Sequence, residues 1–192
     1  ANNGRDAGVY YPDAFNILSQ VGAATWADMP YDGRDYETQP SPEIKARARR
    51  YRIDFWRQVN AQDTKEIKAH LNAGFPVLIG AAVDEAFAKL PAGKKWSSMG
   101  RPVGGHAMIV VGYDDEKQGF RVMNSWGRDW CEGGYCWVDY DFFRKAVNEA
   151  YVVKDALDGP PPKPRPETNE PVQPTNVVRP APTPPGPTPP AP

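Results

Sequence analysis

The chain has 192 residues, a formal net charge of −1 at pH 7 and 22 prolines, 15 of which follow residue 158. This near-neutral charge gives no electrostatic reason to expect nucleic acid or an anionic membrane as a partner. No apolar run approaches the roughly 20 residues that a membrane-spanning helix needs. Residues 1–158 are numerous enough to form one domain with a hydrophobic core.

The start of the chain carries no readable targeting signal. It begins at Ala1 without Met and without a charged and then apolar leader. We interpret this as a leader already removed or as a start partway through a longer chain. The compartment is left open, with a secreted or cell-envelope location slightly favoured.

The first predicted element is a helix that follows a glycine-containing bend, residues 8–11. Pro12 suits the first helical position and Gly22 suits the stop. The apolar residues at helical spacing predict one buried face; they are Ala14, Ile17, Leu18 and Val21.

Two further helices are predicted from their N-terminal signals. Ser41 as N-cap and Pro42 at the first position begin a short basic helix that ends near Arg50. The run 63–66 resembles a capping box, and Gly74 ends the helix that follows.

The second half of the chain is predicted to be mainly strands. Residues 51–55 and 75–83 form strands, and residues 94–101 form a loop. A strand over 134–140, a short helix over 142–147 capped by Asp141, and a closing strand over 150–153 complete the domain. Helices followed by antiparallel strands indicate an α+β fold.

A predicted antiparallel hairpin between residues 104 and 126 organises the chain. An apolar strand over 106–111 and a second strand over 120–123 flank a charged turn that closes on glycine. The start of one strand of a hairpin lies beside the end of the other. We therefore expect the side chains of His106 and Asn124 to meet, although 18 residues separate them.

A histidine held by an asparagine amide has a chemical use. The amide oxygen accepts from one ring N–H and fixes the tautomer, so that the other ring nitrogen faces a substrate or nucleophile. Trp126 is placed to cover this hydrogen bond and exclude water. The alternative is that His106 and Asn124 are buried and form a hydrogen bond with each other that has no catalytic role. The spacing, the Gly104-Gly105 lead-in and the Asn-Ser-Trp-Gly run favour the catalytic interpretation.

The stretches HAMIVVGYD and VMNSWGRDWCEGGYCWV resemble the histidine and asparagine blocks of papain-like cysteine peptidases. The resemblance implies a papain-like fold over residues 1–158, mainly its antiparallel sheet half with part of its helical half. It also implies hydrolysis of peptide bonds in a peptide or protein substrate. His106 would be the general base, Asn124 its orienter and Trp126 the shield of the pair.

The same resemblance implies where a substrate lies. The bend formed by Gly8, Val9, Tyr10 and Tyr11 would run along the cleft. Tyr11 would lie near the pocket for the second residue before the scissile bond. Val9 stands where the family usually has a second glycine.

Two residues beside the histidine are further implied substrate contacts. Gly105 occupies a position where many family members carry Asp, so one modulator of the thiolate–imidazolium pair is missing. Ala107 would contribute to the floor of the main specificity pocket, together with the region of Ala150. No motif implies a metal ion or another cofactor.

A cysteine peptidase needs a thiolate, and neither cysteine of the chain fits that role. Cys131 and Cys136 flank a turn, so a disulfide across a tight hairpin and two buried free thiols both remain open. The family's nucleophile signature lies about 130–150 residues upstream of its histidine. His106 is only 105 residues from Ala1. The resemblance therefore implies a nucleophile in an upstream segment, and a chain that is incomplete and inactive by itself.

Two other functions are open from the sequence. The chain could be a catalytically inactive papain-like homologue that binds peptides or proteins in its cleft, or a structural module. The peptidase is favoured by the combination of His106, Asn124 and Trp126. A module that only binds peptides needs neither a general base nor residues that orient and cover it.

Residues 159–192 differ in composition from the rest of the chain. They hold 15 prolines and no aromatic residue, which predicts a Pro-rich disordered linker or tail in an extended conformation. We interpret it as a spacer toward a further domain or a cell envelope. Recognition by an SH3-like or WW-like module is the alternative.

Overall fold

The computed structural model describes residues 8–31, 35 and 37–156. The predicted Pro-rich tail, residues 159–192, lies outside the described residues. The helices are α1 (Tyr11–Gln20), α2 (Pro42–Ala48), α3 (Thr64–Asn72), α4 (Glu85–Ala88) and α5 (Tyr140–Ala146). The strands are β1 (Ile53–Val59), β2 (Val77–Val83), β3 (Lys95–Trp96), β4 (Gly104–Asp114), β5 (Gly119–Met123), β6 (Tyr135–Asp139) and β7 (Val147–Asp155). The predicted α+β class is confirmed.

Within the described residues the strands form one sheet in the order β1-β7-β2-β4-β5-β6-β3. Neighbouring strands are antiparallel except β6 and β3, which are parallel. The sheet is therefore mainly antiparallel, as predicted, with one parallel pairing at this edge. The predicted loop 94–101 contains β3, because the buried Trp96 ring packs against Phe87 and Phe142 and draws the chain onto the sheet.

The buried face of helix α1 overlaps the predicted one only in part. Ala14, Leu18 and Val21 are half-buried, but Ile17 is 51% exposed and Phe15, which was not predicted, is buried. The Phe15 ring packs on Trp56 and Tyr151 of the sheet, with centroid distances of 5.3 Å to each. These aromatic contacts come from distant parts of the chain, and they rotate the helix away from the face that its aliphatic spacing favours.

The N-caps of two helices agree with the sequence-based prediction, and the N-cap of a third differs from it. The Ser41 hydroxyl accepts from the backbone N–H of Ile44, as predicted for α2. Asp63 accepts from the first backbone N–H groups of α3. Helix α5 begins at Tyr140, because Asp139 and not Asp141 is its cap.

The two faces of strand β2 set up the site. Val77, Ile79, Ala81 and Val83 are buried in the core, and the alternate residues 78, 80 and 82 are only half-buried. We call the side that carries 78, 80 and 82 the groove face. Helix α1 packs on this face through Phe15 and Tyr11. Because side chains alternate along a strand, the residues of the neighbouring strand β4 also lie alternately on the core face and on the groove face.

Within the described ranges, no helix is both long and apolar enough to cross a membrane. In the same residues, no group of three or more His, Cys, Asp or Glu side chains could hold a metal ion.

Candidate active site

His106 and Asn124 meet at one end of the hairpin. Nε2 of His106 lies 2.8 Å from Oδ1 of Asn124. The backbone N–H of Ser125 donates to the same oxygen at 2.7 Å. A backbone N–H can only donate, so the atom that receives it is the amide oxygen. Nε2 of His106 is therefore the protonated nitrogen in the neutral ring, and Nδ1 keeps its lone pair.

The strand register explains how the two side chains come together. Ile109 pairs with Met123 across β4 and β5. Continuing this register sets Asn124 beside Met108, and His106 is the next residue of β4 on the same face. The contact is thus a diagonal one rather than a directly opposite one. The backbone N–H of Asn124 is held by the carbonyl of Gly134 at 2.9 Å, which fixes the chain just after β5.

Asn124 contributes more to the site than to stability. Its side chain is almost fully buried, with 9% of the residue exposed. Its Nδ2 atom is buried and has no hydrogen-bond partner among the described residues. Such a donor costs about 1–3 kcal/mol. An apolar residue of similar size would avoid this cost, so the bond to His106 accounts for the amide at this position.

An aromatic group covers the histidine. The Trp126 indole stacks on the His106 ring with centroids 4.6 Å apart and an angle of 26° between the planes. Trp126 rests in turn on Phe87 and Trp130, at 5.5 Å and 5.6 Å. Both supporting rings are buried, whereas Trp126 is 43% exposed. The indole thus covers the imidazole and is itself partly open to solvent.

The two supporting rings were not identified as site residues from the sequence. Trp130 lies in the run that resembles the asparagine block, and this was its only signal. Phe87 comes from α4, which Asp84 caps by accepting the backbone N–H of Phe87 at 2.8 Å. No local pattern around Phe87 indicates that it lies beneath Trp126.

The bend before α1 leads into the helix that packs on the groove face. Gly8 has a φ of +71°, and the side chains of Val9 and Tyr10 are exposed. The Tyr11 hydroxyl donates to the backbone carbonyl of Ile79 at 2.9 Å. Burial raises the pKa of Tyr11 to about 12, and the neighbouring Glu149 charge adds to this effect. Tyr11 is therefore a fixed, neutral part of the wall beside β2.

The residues on either side of His106 are accessible. Gly105 and Ala107 are both exposed. Ala107 pairs with Gly80 of β2. The carbonyl of Ile79, the residue before Gly80, accepts the hydrogen bond from the Tyr11 hydroxyl. The structure thus brings Ala107 and Tyr11 to neighbouring positions, close to the histidine.

Both cysteines are free thiols. Cys136 is buried in the core opposite Val122, and burial raises its pKa to about 12. Cys131 is half-buried, its sulfur lies 3.6 Å from the carbonyl of Pro91, and burial raises its pKa as well. Of the two alternatives, the structure has free thiols rather than a disulfide. Raised pKa values oppose thiolate formation, so neither thiol suits a nucleophile.

Comparison with known proteins places the chain among proteases. A family model described as papain family cysteine protease matches residues 1–154. Cathepsin B-like cysteine proteinase 4 of Caenorhabditis elegans is 30% identical over 153 residues, which cover 73% of this chain and 43% of that protein. A peptidase C1-like protein of Acanthamoeba polyphaga mimivirus is 26% identical over 167 residues, which cover 80% of this chain and 54% of that protein.

Solved structures show the same fold. Xylellain, a cysteine protease from Xylella fastidiosa, aligns with a TM-score of 0.67 at 28% identity, covering 78% of this chain and 62% of that one. A cysteine protease of Carica candamarcensis aligns with a TM-score of 0.61 at 21% identity, covering 77% of this chain and 68% of that one. The chain spans about half the length of the curated relatives above, 54% and 43%.

Proposed function

The chain belongs to the papain family of cysteine proteases, and on that premise we propose that it supplies the histidine–asparagine part of a cysteine-type peptidase active site. The reaction is hydrolysis of peptide bonds in a peptide or protein substrate. The observation that carries this proposal is the 2.8 Å hydrogen bond between His106 Nε2 and Asn124 Oδ1. This bond leaves Nδ1 as the ring atom that takes a proton from a thiol.

Each residue of the site has one task in this reaction. Nδ1 of His106 accepts the thiol proton, and the resulting thiolate attacks the scissile carbonyl. The imidazolium then gives its proton to the leaving amine, and the neutral ring activates the water that hydrolyses the acyl-enzyme. Asn124 holds the ring orientation through both steps. Trp126 keeps water from the His106–Asn124 hydrogen bond, which is stronger in a less polar surrounding.

The thiol in this proposal comes from a segment outside the 192 residues. Burial raises the pKa of Cys136 to about 12 and also raises that of Cys131. A thiol that stays protonated at neutral pH is a poor nucleophile. We therefore expect these 192 residues alone to bind substrate weakly and not to turn it over.

An extended substrate runs between the bend of residues 8–11 and the start of β4. The exposed Gly105 and Ala107 flank His106, and Tyr11 lies next to them on the groove face. Exposed backbone on both sides of a groove suits pairing with an extended peptide.

Peptide hydrolysis by the full-length protein tests the proposal, with His106→Ala as the test variant. The chain has one other histidine, His70 of α3, which contacts Arg57 of β1 and Glu66 of α3. His70→Ala is therefore a matched control. We expect His106→Ala to abolish turnover and His70→Ala to retain it. Unchanged turnover in His106→Ala would refute the proposal. A wild-type protein that binds peptides without cleaving them would indicate the inactive homologue.

A further inference from the structure

A row of alternating aromatic rings and cations lies on the outer side of strands β5 and β6. Tyr135 and Trp137 alternate with buried residues along β6, so both rings point away from the core. Cζ of Arg121 lies 4.9 Å from the Tyr135 centroid and 5.8 Å from the Trp137 centroid. Nζ of Lys117 lies 4.5 Å from the Trp137 centroid. We call these four residues the cation–aromatic ladder.

The positive charge of this ladder is only partly neutralised. Among the described residues, no carboxylate forms an ion pair with Arg121. Lys117 pairs with Asp114 at 3.2 Å, but its side chain is 56% exposed and its ammonium has three N–H donors. A cation held over a ring spends no N–H donor on that contact. The ladder can therefore still bind an anionic ligand.

The sheet brings the end of the described chain level with the ladder. One row of paired residues crosses the groove face from β7 to β6; it consists of Tyr151, Leu78, Ile109, Met123 and Tyr135. Four successive antiparallel pairings make β7 and β6 run in the same direction. The chain therefore leaves β7 after Asp155 at about the level where β6 ends.

The segment that follows β7 is long enough to reach the ladder. Four strand spacings, about 20 Å, separate β7 from β6. The ten residues 157–166 span about 30 Å in the extended polyproline conformation that their composition predicts. Residues from about 166 onward can therefore lie on the ladder.

Residues 166–171 complement the ladder in charge and in spacing. Their sequence is PETNEP, and Glu167 and Glu170 are the only acidic residues after residue 158. Polyproline II has three residues per turn and a rise of about 3.1 Å, so the two carboxylates lie on one side about 9 Å apart. The two cations of the ladder are at most about 10 Å apart, since they lie 5.8 Å and 4.5 Å from the same ring centroid. Two carboxylates with this spacing can reach both cations at once.

We propose that residues 166–171 dock on the cation–aromatic ladder of the same chain. The two glutamates pair with Arg121 and Lys117, and the flanking prolines pack on the two rings, as in the recognition of polyproline segments by aromatic grooves. Residues 172–192 alone then act as the spacer, which starts from the outer side of the sheet rather than from the end of β7. The ladder lies outside the histidine–asparagine pair, so this inference does not depend on the proposed peptidase function.

Zero-length cross-linking of the full-length protein tests the contact. A carbodiimide activates one of the two glutamate carboxylates, and an ammonium in contact with it forms an amide while the reagent leaves as its urea. Mass spectrometry of proteolytic fragments gives the yields of links from residues 166–171 to Lys117 and to the control Lys89. The Lys89 side chain is 81% exposed and also has an acidic neighbour, Glu85, so random encounters would favour it. We expect the link to form several-fold more often at Lys117.

Removal of the other cation should weaken this link. Arg121→Gln keeps Lys117 as the reporter and should lower its link to the tail roughly 2- to 5-fold, as for the loss of one exposed ion pair. The link at Lys89 should not change. A high concentration of sodium chloride should act in the same direction, because salt screens exposed charges.

A variant in the tail gives a second readout that leaves the ladder itself intact. In the double variant Glu167→Gln, Glu170→Gln, hydroxyl-radical labelling of Trp137 should rise at least about 2-fold as the docked fraction falls. Labelling of Trp126, which is 43% exposed and lies outside the ladder, should stay constant. Mass spectrometry measures both rings in the same sample.

The double variant Lys163→Gln, Arg165→Gln is the matched control, because it removes two charges of the opposite sign from the same tail. It should leave the labelling of Trp137 low. Equal link yields at Lys117 and Lys89, or labelling of Trp137 that does not respond to loss of the two glutamates, would overturn the inference.

A mixture of unlabelled and isotope-labelled protein shows which chain supplies the docked segment. We expect links within one chain only. Links that join the two kinds of chain would assign the segment to a second copy and overturn docking within the chain. Both the links and the labelling are independent of turnover, so a protein that cleaves no peptide would contradict the proposed function and leave the docking standing.

Discussion

The indole of Trp126 lies flat against the imidazole of His106, with ring centroids 4.6 Å apart and planes at 26°. The indole is nevertheless 43% exposed, and the buried rings of Phe87 and Trp130 support it from below. Trp126 thus belongs to the site more than to the core.

The first prediction separates these two roles. A fully buried Trp loses about 3–5 kcal/mol of stability when replaced by Ala. Because Trp126 is half exposed, Trp126→Ala should lower the free energy of unfolding by less than this, while reducing kcat/KM strongly. Trp130→Ala should cost the full amount, since Trp130 is buried and its Nε1 donates to the carbonyl of Ala88 at 3.2 Å. Urea denaturation and peptide hydrolysis of both variants give the comparison. Equal stability losses would contradict the assignment.

The second prediction concerns the orienting amide. Asn124→Ala should reduce turnover less than His106→Ala, because the freed ring can still accept a proton. Loss of Asn124 should also release the tautomer that its oxygen selects. Nitrogen NMR of the ring should show protonation at Nε2 in the wild-type neutral form and a mixture in Asn124→Ala. A neutral wild-type ring protonated at Nδ1 would be incompatible with the proposed base.

The third prediction concerns alkaline pH. Burial raises the pKa of Cys136 from 9.0 to about 12, and those of Tyr11, Tyr140 and Tyr151 from 10.0 to about 12. The unfolded chain therefore releases these protons first, and the free energy of unfolding should fall as pH rises from about 9 to about 12. Urea denaturation across this window measures the decline. Cys136→Val should make the decline shallower at the lower end of this pH window. A free energy of unfolding that does not change with pH in this window would contradict the prediction.

The fourth prediction concerns Asp84, which positions Phe87 beneath Trp126. Asp84 is 4% exposed and accepts the backbone N–H groups of Phe87 at 2.8 Å and Gly100 at 2.6 Å. Burial alone would raise the pKa of this carboxyl, but these hydrogen bonds outweigh it and the pKa is lowered. Its contribution to stability is then present at neutral pH and is lost as pH falls below the unfolded value of about 3.9.

Asp84→Asn tests this directly. It should lower the free energy of unfolding by about 1–3 kcal/mol at pH 7. The difference from the wild type should shrink as pH falls below about 3.9, because the unfolded wild-type carboxyl then takes up a proton that the folded carboxyl resists. A difference that stays constant with pH would show that shape, and not charge, explains the effect.

Local sequence was enough to predict that the side chains of His106 and Asn124 meet. The strands around His106 and Asn124 are adjacent in the chain, and the turn between them sets their register. The N-caps of α2 and α3 are local in the same sense. Asp139 took the place expected for Asp141 because β6 ends at Asp139, and its carboxylate accepts from the backbone N–H groups of Asp141 and Phe142.

Contacts between distant segments decided the parts that could not be predicted. Strand β7 lies between β1 and β2, and this order brings Glu149 next to Gly80, 69 residues away in the sequence. The same insertion carries Tyr151 beneath α1, so Phe15 and not Ile17 becomes the buried residue. The pattern of residues within either segment does not predict which distant segment it will contact.

Labelling of the full-length protein with a thiol-directed peptidyl epoxide tests the central claim most directly. The modified cysteine is located by mass spectrometry of proteolytic fragments, in the wild type, His106→Ala and the control His70→Ala. We predict one labelled cysteine outside residues 1–192, whose labelling is lost in His106→Ala and kept in His70→Ala. Label on Cys131 or Cys136, or labelling that does not depend on His106, would contradict a thiolate formed by the His106–Asn124 pair.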